Sequence, residues 1–284
     1  MVQKKTMVVT DTLERVSLPD LTRAYNLGFS DYRLAVAISE EKLQSTNIRY
    51  GYNPECSVGL FDDNTLVGFV INGLRDGYAY DSGTAIIPGY RGRGYARLLL
   101  EKALSLMNSQ DVHTWVLEVL SDNVRAIALY TSIGFSKQRG LHCYNLKAED
   151  CRQISTKTEV VLMRQKSISI PRAECLPSWQ NTEQSIIAGG VPVWDIMVKQ
   201  KKIGTLCYEN STGSIAQLYI QEEERHKGYA RAAIIEAAKL CKTDQLRFIN
   251  IDDQYAPLNT LLHSMGFQCF ATQLEMTNNL RGKA

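Results

Sequence analysis

Apolar residues recur along this chain with two alternating spacings. Short apolar runs rich in β-branched and aromatic residues, which are typical of strands buried in a sheet, occupy residues 66–71, 115–120, 203–208 and 246–251. Apolar residues at i, i+3 and i+4 start at Ala96 and again at Ala230, and this spacing predicts helices with one buried face. The pattern therefore predicts an α/β chain in which strands and helices alternate.

The same order of elements occurs twice. The stretch YRGRGYARLLLEKAL at 90–104 is followed 134 positions later by ERHKGYARAAIIEAA. The loop glycine and the glycine that ends the next helix are 40 residues apart for Gly94 and Gly134, and 38 apart for Gly228 and Gly266. Each unit is too long for a stacking repeat, so the pattern indicates two tandem domains.

The domain boundaries follow from where periodicity is lost. Residues 147–158, KAEDCRQISTKT, are polar and aperiodic and are interpreted as a linker. This predicts an N-terminal domain at 1–146 and a C-terminal domain at 159–284.

Composition places the chain among ordinary globular proteins and narrows its partners. The 284 residues are 44% hydrophobic and 22% charged with a formal net charge of +2, so no nucleic-acid or anionic membrane partner is indicated. The seven cysteines form no Cys-x-x-Cys pair, and the four histidines show no metal-ligand spacing, so no metal site is expected. No run approaches the roughly 20 apolar residues of a membrane span, and we expect a soluble cytoplasmic protein.

The loop before the first of the two helices has the features of an anion-binding turn. Pro88 cannot donate to a strand ladder and therefore ends the strand at 84–87. The glycines of Arg91–Gly94 allow close backbone approach, and the first N–H groups of the helix have no partner inside the helix. Such a helix start favours phosphate, and Arg91 or Arg93 can fork to phosphate oxygens. The alternative is that these residues only join a strand to a helix.

Two nucleotide-binding motifs are excluded. Arg97 stands where Gly-x-Gly-x-x-Gly requires its third glycine, and the chain has no Gly-Lys-Ser/Thr. Because the loop occurs twice at one place in the element order, a phosphate cradle is still favoured.

These residues resemble those of the GNAT superfamily of N-acetyltransferases. The loop signature Arg/Gln-x-x-Gly-x-Gly/Ala is matched by 91–96 and again by 225–230. A second block, Asn-x-x-Ala-x-x-Leu-Tyr-x-x-x-Gly-Phe, is matched at every fixed position of 123–135. The resemblance covers about residues 10–146 well and about residues 160–280 more loosely.

The resemblance implies a fold and a cofactor. Each domain should hold a mixed, largely antiparallel sheet flanked by helices, with acetyl-CoA wedged where two central parallel strands splay apart. Main-chain groups at the end of one strand would pair with the pantetheine arm, and loop amides would hold the pyrophosphate of CoA. The cofactor-binding residues expected on this basis are Ala85, Ile86, Ile87, Arg91, Gly92, Arg93, Gly94, Tyr95, Ala96, Arg97, Asn123 and Ala126.

The resemblance also assigns catalytic roles. Tyr130 is expected to protonate the departing CoA thiolate, and the reaction is direct attack of a primary amine in a ternary complex. A lysine-like amine with a pKa of ~10.4 is almost wholly protonated at pH 7, so a base or a water chain must take its proton. Glu118 and Asp81 are the candidate bases, with an ordinary solvated or salt-bridged strand position as the alternative for each.

The two copies differ at the catalytic positions. Counted back from Gly266, Leu262 stands where the first copy has Tyr130, and Tyr255 stands where it has Asn123. We therefore expect catalysis in the N-terminal domain and a degenerate C-terminal domain. A second cofactor site there would use Arg225, Lys227, Gly228, Tyr229 and Ala230.

The acceptor is expected to bind against a helical stretch near the start of the chain. The family places the acceptor against the region that corresponds to residues 21–49, so Phe29, Asp31 and Tyr32 are candidate substrate residues. Tandem units resemble mycothiol-synthase-like enzymes, which favours a small-molecule amine. The alternatives are acetylation of a protein lysine or N-terminus, a non-catalytic acyl-CoA-binding module, and a nucleotide-binding protein.

Overall fold

The computed structural model describes residues 8–31 and 37–281. The chain divides into two compact units, one made of residues 1–138 and 275–284 and the other of residues 139–274. Tyr32, one of the predicted substrate residues, lies outside the described residues.

The N-terminal unit contains a mixed sheet with helices beside it. Its strands are β1 Val8–Thr12, β2 Val58–Asp62, β3 Thr65–Arg75, β4 Tyr78–Ile86 and β5 Thr114–Leu120. Its helices are α1 Leu18–Gly28, α2 Glu40–Tyr50, α3 Tyr95–Ser109 and α4 Val124–Ser132. The strand order is β1-β2-β3-β4-β5, and the final residues of the last strand of the chain, 275–279, belong to this unit.

The central parallel strands of this unit open toward one end. β4 is antiparallel to β3 but parallel to β5. The register between β4 and β5 ends at Asp81–Leu117, whereas β4 continues to Ile86 and β5 to Leu120. A strand edge beyond Asp81 therefore faces an opening between the two strands, as the predicted fold requires.

The C-terminal unit repeats this arrangement. Its strands are β6 Ser136–Lys147, β7 Val161–Arg164, β8 Val193–Val198, β9 Lys201–Glu209, β10 Ser214–Ile220, β11 Gln245–Asp252 and β12 Gln268–Asn279. Its helices are α5 Ala148–Arg152, α6 Glu183–Ala188, α7 Tyr229–Leu240 and α8 Ala256–Ser264. The order is β6-β11-β10-β9-β8-β7, with β10 and β11 parallel. The core of the unit lies between this sheet and α7 and α8.

The structure divides the chain at a different point from the predicted linker at 147–158. Lys147 is the last residue of β6, which pairs with β11, and the next five residues form α5. Cys151 is buried in the C-terminal core, and the Arg152 side chain donates to the Ala238 carbonyl at 3.1 Å. The polar segment is therefore an integral part of the second unit, because its few apolar residues pack against α7.

No helix within the described parts of the chain is both long and apolar enough to cross a membrane.

Candidate active site

The phosphate-type loop has the open backbone that its glycines predict. Gly92 and Gly94 have φ values of +76° and +80°, in the left-handed region that favours glycine. A Cβ built on either glycine meets no heavy atom within 4 Å. Gly94 is the N-cap of α3 and has no side-chain cap, and the Leu98 N–H is bonded to the Gly94 carbonyl. The N–H groups of residues 95–97 thus precede the first helical bond and provide a cradle for an anion.

Arg91 does not serve this loop as a free cation. Its guanidinium bonds the Asp31 carboxylate at 2.6 and 2.9 Å, the Gly28 carbonyl at 2.8 Å and the Ile86 carbonyl at 2.8 Å. These bonds tie the end of α1 to the loop. The predicted substrate residue Asp31 is accordingly the ion partner of Arg91, and this interaction lowers the pKa of its carboxyl.

Arg93 and Arg97 occupy more exposed positions. Arg93 bonds the Gly89 carbonyl at 3.1 Å and lies over the Tyr90 ring. Arg97 bonds Ser132 at 2.7 Å, which joins the start of α3 to the end of α4. Of the two arginines that the sequence offered for phosphate, the structure leaves Arg93 as the one that can reach a ligand at the loop.

Ala85, Ile86 and Ile87 lie at the open end of β4. Ala85 and Ile86 pair with β3 but are beyond the last pair with β5. Ile87 donates its N–H to the Val67 carbonyl at 3.0 Å. Because Arg91 already uses the Ile86 carbonyl, this part of the edge is only partly available for the strand-like pairing with pantetheine that was predicted.

Asn123, one of the predicted cofactor-binding residues, is the N-cap of α4. Its side-chain oxygen accepts the Ala126 N–H at 3.2 Å. Gly134, with φ of +102°, follows the C-cap and ends the helix. The cap fixes the helix that carries Tyr130.

The register of β4 and β5 places the two candidate bases on opposite faces of the sheet. In the β3–β4 register Ile71 pairs with Gly83 and Asn72 with Asp81, so Ser82 is the extra residue. Asp81 is next to Leu117 in the parallel pair, and successive side chains of a strand alternate between faces. Glu118 therefore points to the face opposite Asp81.

Glu118 lies on the face that α1 and α2 cover. Its carboxylate accepts the Tyr80 hydroxyl at 2.5 Å, and the Tyr80 ring packs edge-on against Tyr50. Burial, followed by the charge of Glu118, raises the pKa of Tyr80 well above its usual value, and burial raises that of Tyr50 to about 12. Both phenols are protonated at neutral pH, so the Tyr80 hydroxyl donates a hydrogen bond to the Glu118 carboxylate and holds it in place.

Asp81 lies on the other face, beside Tyr130. The buried carboxylate accepts the Gly83 N–H at 2.9 Å, the Thr84 hydroxyl at 2.6 Å and, at 3.4 Å, the Tyr130 hydroxyl. Burial raises its pKa to about 6, although these hydrogen bonds lower it. With these contacts Asp81 positions Tyr130 and the bulge, whereas Glu118 faces the aromatic side of α1 and α2.

Asp81 leads to a pH-dependent stability prediction. Because its folded-state pKa of about 6 lies above its ordinary 3.8, the folded state binds this proton more tightly than the unfolded chain does. The carboxyl therefore costs stability as pH rises from about 4 to about 6, by up to about 3 kcal/mol. We expect Asp81→Asn to gain stability relative to wild type over that interval, measured by urea unfolding at pH 4 and pH 7. A constant difference between the two proteins would contradict the buried, strained carboxyl.

The other predicted substrate residue, Phe29, packs inward. Its ring lies 4.8 Å from the Tyr25 ring and 6.1 Å from the Phe69 ring, measured between centroids. Phe29 therefore belongs to the packing between α1 and the sheet. Tyr80 and Tyr50 are the aromatic residues beside Glu118 that the sequence prediction missed; their positions on a strand and at a helix end gave no motif to find them by.

The second loop has the same backbone conformation but different neighbouring side chains. Gly228 has φ of +84°, and His226, at the place of Gly92, is also left-handed with φ of +61°. The Thr158 hydroxyl is 3.0 Å from a Cβ built on Gly228. Arg225 pairs with Glu174 at 2.7 Å, and Lys227 with Glu224 at 2.9 Å. Both predicted second-site cations are thus neutralised by carboxylates, and Tyr229 and Ala230 begin α7 behind them.

Comparison of this sequence with known proteins identifies one acetyltransferase family. A family model described as "Acetyltransferase (GNAT) family" matches residues 20–135. N-alpha-acetyltransferase 30 of Schizosaccharomyces pombe is 31% identical over 102 residues, 34% of this chain and 68% of the relative. The [ribosomal protein bS18]-alanine N-acetyltransferase of Escherichia coli K12 is 28% identical over 127 residues, 45% of this chain and 82% of the relative.

Some matches cover only part of a relative, whereas several solved structures cover almost all of this chain. An uncharacterised Mycobacterium leprae protein is 41% identical over 86 residues, but these are 23% of its length. The crystal structure of a tandem GNAT protein from the clavulanic acid biosynthesis pathway covers 98% of this chain and 99% of its own, with a TM-score of 0.68 at 12% identity. This last likeness supports the two-unit fold.

Proposed function

This chain belongs to the GNAT acetyltransferase family, and on that premise we propose that its N-terminal unit transfers the acetyl group of acetyl-CoA to a primary amine by direct attack in a ternary complex. The observation that carries the proposal is the opening between β4 and β5. The bare loop at Gly92 and Gly94 lies at the end of β4, and Glu118 and Tyr130 lie on opposite faces of the strand pair.

The loop residues suit the diphosphate of acetyl-CoA. Two glycines without neighbours leave room for phosphate oxygens at the start of α3, where N–H groups precede the first helical bond. Arg93 supplies a positive charge from an exposed position. In this proposal residues 85–87 border the pantetheine arm, and residues 92–97 hold the diphosphate.

Glu118 is the proposed base and Tyr130 the proposed acid. Glu118 takes a proton from the ammonium group of the acceptor, directly or through water, while Tyr80 orients its carboxylate. The neutral amine then attacks the thioester carbonyl, and the C–N bond forms as the C–S bond breaks. Tyr130 donates its hydroxyl proton to the leaving thiolate, and Asp81 holds that hydroxyl beforehand. Acetyl-CoA supplies the thioester. The chain positions the reacting groups and transfers protons to and from them.

We propose an α-amino group as the acceptor, in place of the small-molecule amine that the tandem arrangement favoured. Two relatives are named for acetylation of an α-amine or of a ribosomal protein's alanine. The chemistry agrees, because an α-amine with a pKa of ~7.7–8.0 is partly neutral at pH 7.5, whereas a lysine amine at ~10.4 is not. A single carboxylate such as Glu118 is then a sufficient base.

The acceptor is tested by release of CoA thiol from acetyl-CoA with matched amines. One peptide carries an N-terminal alanine and no lysine, and a second is N-terminally blocked with one lysine. A small polyamine completes the set. Turnover with the first peptide alone supports the proposal. Turnover only with the blocked peptide or the polyamine overturns the acceptor but keeps the transferase. Binding of acetyl-CoA without turnover on any amine favours a non-catalytic module.

Tyr130→Phe is expected to lower kcat by roughly 10- to 100-fold, the loss of a hydrogen bond to a developing charge. The parent thiol has a pKa of ~8.5, so the deficit should shrink as pH rises above that value. Rapid-quench rates at pH 7 and pH 9.5 measure it. An equal deficit at both pH values would show that the phenol acts by packing against Phe135 and not as an acid.

A further inference from the structure

The C-terminal unit keeps an open cleft at the place where the N-terminal unit has its candidate site. The parallel pairing of β10 with β11 includes Ser214–Arg247 and Ile215–Phe248, although β10 continues to Ile220. A cavity of about 560 Å³ lies beside the end of β10, between the start of α7 and the start of α8. This volume is in the range of small-molecule sites. Its walls include the apolar residues Leu218, Ile220, Ala230, Pro257, Leu258 and Leu261.

The residues proposed for acetyl transfer in the first unit are replaced in this cleft. Counted back from Gly266, Asn250 stands where the first unit has Glu118, and Leu262 stands where it has Tyr130. Leu262 is fully buried in the core. A cleft that stays open without counterparts of Glu118 and Tyr130 at these two positions is suited to binding rather than to the proposed transfer.

The two carboxylates at the mouth of the cleft are paired with cations. Glu174 accepts the Tyr255 hydroxyl at 2.7 Å besides its ion pair with Arg225. Glu224 pairs with Lys201 at 2.6 Å as well as with Lys227. Arg231, which also lines the cleft, bonds the Ser264 hydroxyl at 2.7 Å. A diphosphate would therefore compete with both carboxylates for Arg225 and Lys227.

A smaller chamber next to the cleft is lined by a residue with an unbonded donor. Asn250 is 3% exposed and left-handed, with φ of +57°, at the irregularity of β11. Its Oδ1 accepts Gln273 Nε2 at 2.9 Å and Cys143 Sγ at 3.2 Å. Its Nδ2 has no hydrogen-bond partner within the described residues. Asn250 lines a smaller chamber that shares Leu218 and Leu258 with the main cleft.

We propose that this C-terminal cleft binds an uncharged, mainly apolar molecule whose carbonyl oxygen accepts a hydrogen bond from Asn250 Nδ2, an acyl amide being the simplest such class. The apolar walls bury the chain of the ligand, and the carboxylates that hold Arg225 and Lys227 compete with a diphosphate for these cations. A buried N–H without an acceptor is costly, so the carbonyl of the ligand completes the site.

The test uses octanamide and the neutral fluorescent probe N-phenyl-1-naphthylamine on the full chain. We expect the probe to bind and octanamide to displace it. Leu258→Trp, which fills the cleft, should abolish binding of both. Leu98→Trp, at an exposed leucine of α3 in the other unit, should leave both unchanged. Circular dichroism of each variant separates a filled cleft from a misfolded chain.

Asn250→Asp is the decisive variant. The substitution keeps an oxygen for Gln273 and Cys143 but replaces the free donor with an acceptor. We expect octanamide to bind at least tenfold more weakly while the probe is unaffected. Unchanged octanamide affinity overturns the role of Asn250. Displacement of the probe by coenzyme A, or no saturable binding of probe and octanamide, overturns the site itself. None of these readouts depends on acetyl transfer.

Discussion

Gly94→Glu is expected to abolish measurable binding of acetyl-CoA, with a loss of affinity of 100-fold or more, about 3 kcal/mol. The glycine has φ of +80° and open space where a Cβ would stand. A side chain there is strained in the left-handed region and fills the proposed cradle. A carboxylate within ~4 Å of a phosphate adds a repulsion of about 4 kcal/mol near a protein surface. Isothermal titration with acetyl-CoA measures the loss.

Two controls separate charge from backbone strain in this experiment. Gly94→Asn places a neutral residue that tolerates the left-handed region and should retain more affinity than Gly94→Glu. Gly228→Glu makes the same change at the corresponding φ of +84° and should leave acetyl-CoA binding and turnover intact. Equal losses at Gly94 and Gly228 would show that both units bind the cofactor and would contradict the proposed asymmetry.

Glu118→Gln is expected to lower kcat by about 100-fold or more, the usual contribution of a positioned proton acceptor. The amide keeps the size of the side chain and can still accept the Tyr80 hydroxyl, so acetyl-CoA affinity should not change. Steady-state kinetics with an α-amine peptide, from pH 6.5 to pH 9.5, measure the effect. Raising the pH supplies neutral amine and should restore part of the lost rate.

The control for this prediction is an ordinary surface carboxylate. Glu101, in an exposed ion pair with Arg97, should tolerate Glu101→Gln without effect on kcat. A change of less than about fivefold in Glu118→Gln would instead favour proton removal through water alone, and Glu118 would then be a partner of Tyr80 with no catalytic role.

The chemical class of the acceptor is still a prediction. Two of the relatives are named for protein or α-amino acetylation, whereas the tandem arrangement of the units favours a small-molecule amine.

Cys143, the cysteine nearest the second sequence block, is buried in the C-terminal unit beside Asn250. The direct transfer is proposed for the N-terminal unit.

Features that depend on a few neighbouring residues follow from local sequence. The glycines before the helix at Ala96 indicate the close backbone approach of an anion-binding turn, and Leu262 in place of Tyr130 marks a difference between the two copies. Backbone conformation and helix starts are fixed within about four residues, so a motif is sufficient to predict them.

Which charged side chains can reach a ligand depends on the tertiary structure. Arg91 bonds Asp31 across 60 positions, Tyr80 bonds Glu118 across 38, and Arg225 pairs with Glu174. These partners are brought together by sheet register, which pairs Asp81 with Leu117 and so turns the neighbouring Glu118 to the other face. Register depends on the packing of distant segments, and for that reason no local pattern could separate Glu118 from Asp81 or reveal the neutralised mouth of the second cleft.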